Sequence, residues 1–107
     1  MVRGDIITVS LAGDYGKPRP AVVVQSDIFR SWPSVTVLPM TSDILGAATT
    51  RVPLEPTLEN GLRKRSEVMV DKAHTVPRER AGSVIGRLAN QEMTEVDRAL
   101  AAFLGLV

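Results

Sequence analysis

Nowhere in this chain does an apolar run last long. Short stretches of Val, Ile and Leu are cut repeatedly by seven prolines and eight glycines, residues that end helices and reverse the chain. That pattern favours many short strands joined by turns. The 107 residues allow one domain, 1–107, with a single modest core. Residues 3–11 alternate, with Ile7, Val9 and Leu11 on one face and Thr8 and Ser10 on the other, as in a half-buried strand. Residues 12–18 hold two glycines, an aspartate and a proline, which predicts a loop. Residues 21–24 form a continuous apolar run and read as a central strand covered on both faces.

Further along, Ser26-Asp27 can cap a short helical turn through Arg30 that Trp32-Pro33 ends. A third strand spans 35–40, interrupted by Pro39. A fourth, 51–54, belongs at an edge because Pro53 cannot donate to a ladder. Asn60-Gly61 signals a turn, and 67–71 alternates again with Val68 and Val70 on one face. Residues 83–88 read as a last strand weakened by Gly86. Only the end is helical: Asn90 serves as N-cap, Met93, Val96, Leu100, Phe103 and Leu104 form the apolar stripe, and Gly105 closes it. The sum is a mainly β fold, a twisted antiparallel sheet or partly open barrel with one C-terminal helix.

Composition removes several functions. Without cysteine there is neither a disulfide framework nor a thiolate metal site, and a reducing compartment fits. No leading basic and apolar segment occurs, nor any apolar stretch near about 18 residues, so the residues predict a soluble, cytoplasmic protein. Thirteen basic against twelve acidic residues give a net charge of +1, too little to coat nucleic acid by bulk charge. A polyanion would need a local patch. The densest is Arg63-Lys64-Arg65 with Arg78 and Arg80: six basic residues against three acidic fall between 60 and 80, a nucleic-acid face or equally a solvated hairpin.

Lys17-Pro18-Arg19-Pro20 precedes the buried run, so an arginine is held between two prolines at the mouth of a core strand. With that arginine, Arg3-Gly4-Asp5-Ile6-Ile7, Arg19-Pro20-Ala21-Val22-Val23-Val24-Gln25-Ser26-Asp27, Pro39-Met40-Thr41-Ser42, Val68-Met69-Val70-Asp71, a Thr75-Val76 turn and the closing Phe103-Leu104-Gly105-Leu106 follow in order. This ordered set resembles the MazF/PemK (Kid) family of toxin endoribonucleases. The resemblance implies an SH3-like barrel with added short helices, usually a homodimer, that cuts single-stranded RNA without metal or cofactor. It also implies a cognate antitoxin whose disordered segment covers the RNA site.

Cleaving RNA through its own 2′-hydroxyl needs a proton acceptor, a proton for the departing 5′-oxygen, and groups that hold the non-bridging oxygens. The resemblance puts the catalytic arginine at Arg19 and the catalytic hydroxyl at Thr41. An arginine, protonated at any physiological pH, suits charge stabilisation better than proton transfer. Thr41 can equally be a strand-end cap. Lys17, Gln25, Ser42 and Asp71 are the expected substrate-binding residues, although Asp71 can also be a turn cap. Met69 stands where the PemK branch has a second arginine. Lys17 and Tyr15 can meet RNA or simply be solvated. His74 falls where relatives often carry arginine and reads as a structural contact, and as a lone histidine it makes no metal site. Phe29 and Trp32 read as core or dimer contacts. Two other readings remain: a CcdB-like gyrase poison, although the tail Leu104-Gly105-Leu106-Val107 lacks the tryptophan such toxins use, and a non-catalytic SH3-like binding module.

Overall fold

The computed structural model describes residues 1–11, 17–47 and 49–107. Seven strands, β1 (Asp5–Val9), β2 (Arg19–Val23), β3 (Ser34–Thr41), β4 (Arg51–Leu54), β5 (Ser66–Met69), β6 (His74–Pro77) and β7 (Val84–Arg87), precede the helix α1 (Asn90–Phe103). They run β4-β5-β3-β2-β1-β7 across one curled sheet with every recorded pairing antiparallel, and β6 pairs β3 off this path. Proline-bearing β4 takes an edge, as its missing donor requires.

Both faces of β2 are covered. Val22 and Val24 join Ile6, Leu38, Met40, Val68 and Val96 in a core beneath α1, while Ala21 and Val23 join Ile7, Val9, Val35 and Val37 in a smaller one on the opposite face. β3 therefore contributes its even residues to one core and its odd residues to the other. This parity decides where the functional side chains point.

Pro39 does not interrupt β3. Val24 N–H donates to the Thr36 carbonyl at 3.2 Å, so the polar groups of even β3 residues face β2 and those of odd residues face away. The missing N–H of Pro39 thus lies on the side where β3 changes partner: β6 pairs it through 34–37, and β5 takes over at 40–41. A proline costs no ladder bond there.

Other expectations need correction. Thr75-Val76 is no turn but part of β6, held by Val76 packing on the smaller core and by a 2.8 Å Thr36–Thr75 hydroxyl bond. Asp71 falls in the turn after β5 rather than in the strand. Gly86 is a site of contact rather than of weakness, because a Cβ there would lie 2.1 Å from the Asn60 carbonyl oxygen. The N-cap of α1 is Ala89, whose N–H the Glu92 carboxylate accepts at 2.8 Å; Asn90 is already helical. Gly105 closes the helix as expected, with φ +75° and a 2.8 Å bond from Leu106 N–H to the Ala101 carbonyl. Val96 is fully buried, whereas Phe103 and Leu104 point to solvent. Phe29 and Trp32 also stay outside the core, as an exposed T-shaped pair with centroids 5.9 Å apart.

Candidate functional site

The change of partner along β3 opens a pocket of about 340 Å³ above the end of the smaller core. Arg19, Thr41 and His74 all line it. β2 and β3 pair at Ala21–Pro39 and Val23–Val37; beyond the first of these pairs Arg19 begins β2 and Thr41 ends β3, and the parity of each strand puts both on the face of the smaller core. Cross-strand partners share a face. Arg19 is opposite Val9, a member of the smaller core, and His74 is opposite Val37, another member. The three side chains therefore rise from one face of the sheet, on three different strands.

Thr41 closes β3 with a small polar turn. Its hydroxyl oxygen accepts from Asp43 N–H at 3.0 Å, which leaves the hydroxyl proton to donate into the pocket. Ser42 and Asp43 continue the wall. Behind them the chain is anchored by Glu67, a carboxylate almost wholly buried at 2% exposure. Glu67 accepts from Leu45 N–H at 2.9 Å, from Gly46 N–H at 3.1 Å and from the Arg51 guanidinium at 3.0 Å. The Leu45 amide, with help from Gly46 and Arg51, holds the Glu67 carboxyl below its ordinary range although burial opposes this. This clamp fixes the segment that carries Thr41, Ser42 and Asp43.

Asp71 lies beside the pocket and acts on it through a neighbour. Its Oδ2 holds Lys72 Nζ at 2.9 Å, and Lys72 lines the pocket. That hydrogen bond from Lys72 is the main reason the Asp71 carboxyl sits below its ordinary range. Asp71 Oδ1 is buried without a hydrogen-bond partner. Met69, where a second arginine was expected by resemblance, supplies an apolar wall instead.

The remaining sequence-derived residues divide. Ser42 joins the wall; Lys17 is exposed two residues ahead of Arg19. Gln25 is not brought to this pocket: it lies six residues from Arg19, about 20 Å along an extended chain. There its amide bridges the Ser34 carbonyl (3.1 Å) and Thr36 N–H (3.1 Å) and holds the 24–36 connection together. Tyr15 and the rest of 12–16 lie outside the described residues. The basic cluster is also divided by its bonds: Arg65 pairs with Glu55, and Arg78 donates to the Trp32 carbonyl at 2.7 Å. Sequence reasoning missed Lys72 and the Arg51–Glu67 clamp. A lysine directly after Asp71 was a usable signal; nothing local marks Glu67 as buried.

Among the described residues, no three of His, Asp and Glu gather as metal ligands, and no helix is long and apolar enough to cross a membrane. A strand-built pocket lined by a forked cation and a hydroxyl defines a class of site suited to phosphate oxygens. Residues 2–104 match the family described as PemK-like, MazF-like toxin of type II toxin-antitoxin system, and this chain belongs to that family. A probable endoribonuclease MazF of Mycolicibacterium smegmatis is 46% identical over 107 residues, covering 99% of this chain and 98% of the relative. The Mycobacterium tuberculosis toxin MazF-mt6 superposes with a TM-score of 0.81 at 28% identity, covering 94% of this chain and 96% of its own. The fold alone is also shared with a mycobacterial endoribonuclease solved in complex with its cognate antitoxin: TM-score 0.85, 21% identity, 100% and 97% coverage.

Proposed function

We propose that this chain is the toxin of a type II toxin-antitoxin pair, an endoribonuclease that cuts single-stranded mRNA at short sequence motifs and so stops translation and growth. Cleavage uses the substrate's own 2′-hydroxyl and needs no metal or cofactor. One observation carries the reading: Arg19 and Thr41, from two different strands, line the same pocket.

In this mechanism the Arg19 fork holds the non-bridging oxygens as negative charge builds on phosphorus, and the Thr41 hydroxyl donates to one of them. Ser42 adds a second hydroxyl. Lys17 and Lys72 attract the flanking phosphates, with Asp71 positioning Lys72. The cognate antitoxin, an acidic or disordered segment, acts by occupying the same cationic pocket. The chain works as a homodimer in the cytoplasm, and the exposed Phe29–Trp32 pair offers an anchor of the kind interfaces favour.

The test is cleavage of a mixed single-stranded RNA by purified protein in EDTA. Wild type is expected to cut, and Arg19→Ala and Thr41→Ala each to lose about 10²–10³-fold, the usual effect of removing a donor to developing charge. A folded Arg19→Ala protein that cuts as fast as wild type would sink the assignment.

A further inference from the structure

The mechanism above still lacks a group to take the 2′-hydroxyl proton. Arg19 stays protonated and Thr41 is a poor base. His74, the only histidine in the chain, lines the same pocket. Its Nδ1 lies 2.7 Å from the Lys72 carbonyl oxygen. A carbonyl can only accept, so in the neutral ring the proton resides on Nδ1 and the lone pair on Nε2. The backbone thereby selects one tautomer. The bond ties the ring to its own preceding turn and leaves Nε2 as its basic atom.

Position supports the same role. His74 opens β6 opposite Val37, on the sheet face that carries Arg19 and Thr41. Val37 and Thr41 are four residues apart on β3, about 13 Å along an extended strand. The 2′-hydroxyl lies next to the phosphorus it attacks, so the ring must lean along the strand toward the phosphate; Arg19, Thr41 and His74 line one pocket, which allows this. Resting on the ribonuclease reading, we infer that His74 is the general base of this site, a residue acting on the substrate rather than a structural contact.

The step balances. Nε2 takes the 2′-hydroxyl proton as O2′ bonds to phosphorus and the P–O5′ bond breaks. The departing 5′-oxygen takes a proton from a water molecule at the pocket mouth. The imidazolium then gives its proton to the hydroxide so formed. The products are a 2′,3′-cyclic phosphate and a 5′-hydroxyl. The charged groups around the ring are Arg19 from β2, Asp43 from the segment after β3, and Lys72 with its partner Asp71 from the turn before β6.

Two measurements test this. Single-turnover cleavage in EDTA is followed from pH 5 to pH 9 for wild type, His74→Gln and Arg19→Ala, with folding checked by circular dichroism. We expect His74→Gln to cut about 10²–10⁴-fold more slowly, the range a positioned base supplies, with RNA affinity kept. The pH–rate profile should differ in shape from that of wild type, and added imidazole should restore part of the rate. A folded His74→Gln protein with wild-type rate and pH profile overturns the role while Arg19→Ala still reports on the ribonuclease reading. A wild type that cuts no RNA removes both. Independently, long-range ¹H–¹⁵N spectra of the lone imidazole in its neutral form should show the Nδ1–H tautomer, and a dominant Nε2–H form overturns the proposal.

Discussion

In the proposed mechanism Arg19 draws on two features: its place in the pocket and the shape of its head group. Arg19→Lys keeps the charge but loses the planar fork, and we expect cleavage to fall well below wild type although the residue remains cationic. Measured kcat separates this from a loss of binding. Thr41 separates geometry from chemistry in the same way. Thr41→Ser retains a hydroxyl and should keep most activity, whereas isosteric Thr41→Val should lose about 10²–10³-fold. Both residues were legible as candidates because Pro18, Pro20 and Pro39 frame them in the sequence and the resemblance points to the same two positions. His74 was not. Its value depends on a carbonyl two residues earlier and on a pocket that forms only when β3 changes partner. The distance of Gln25 from the pocket was hidden for a related reason, since a motif gives spacing along a strand but not which end lies at a cavity.

Among the elements, β3 and the segment after it carry the site. Leu38 is fully buried on the helix side of β3. Leu38→Ala should lower the unfolding free energy by about 2–5 kcal/mol, as for other core truncations; denaturant melts give the value. Gly86→Ala drives a methyl toward the Asn60 carbonyl, rigid backbone rather than a yielding side chain, and should destabilise by about 1–3 kcal/mol. Periodicity revealed β2, β3 and α1 because their apolar residues repeat in step with burial. It hid β6, whose His74-Thr75-Val76-Pro77 has only one clear apolar position and owes its strand form to pairing with β3. The stripe of α1 was read too long for a similar reason: Phe103 and Leu104 continue the helical spacing past the point where the sheet lies beneath them.

For the molecule as a whole, acid should act through two carboxyls. Glu67 and Asp71 are both held below their ordinary ranges in the folded chain. The unfolded chain therefore binds protons at higher pH than the folded one does. Their contribution is complete above the unfolded carboxyl pKa of about 4 and declines as pH falls through the folded values. Thermal melts between pH 7 and pH 3 should show Tm dropping below about pH 4, and Glu67→Gln should weaken that drop while lowering Tm at pH 7. At the surface, the proposed homodimer predicts that wild type has a dimer's mass by light scattering and that Trp32→Asp shifts it toward monomer; a mass unchanged by the substitution would remove the Phe29–Trp32 pair as the contact. Little of this was legible in composition, because a net charge of +1 conceals both a buried ion pair and a cationic pocket.

The parity of β3 carries a consequence for how such a chain can diverge. Loop 24–33 can change length without moving any strand, provided the Gln25 bridge is rebuilt. Between Val37 and Thr41 the count must stay as it is. One residue inserted between Val37 and Met40 would turn Thr41 toward the helix-side core and put the Met40 side chain on the face that carries Arg19, while leaving hydrophobic content and strand length almost unchanged. A descendant with that insertion would still look like a folded relative by every bulk property. It would have exchanged the proposed catalytic hydroxyl for a thioether, so on that mechanism spacing within those five residues is a sharper marker of a working toxin than overall identity.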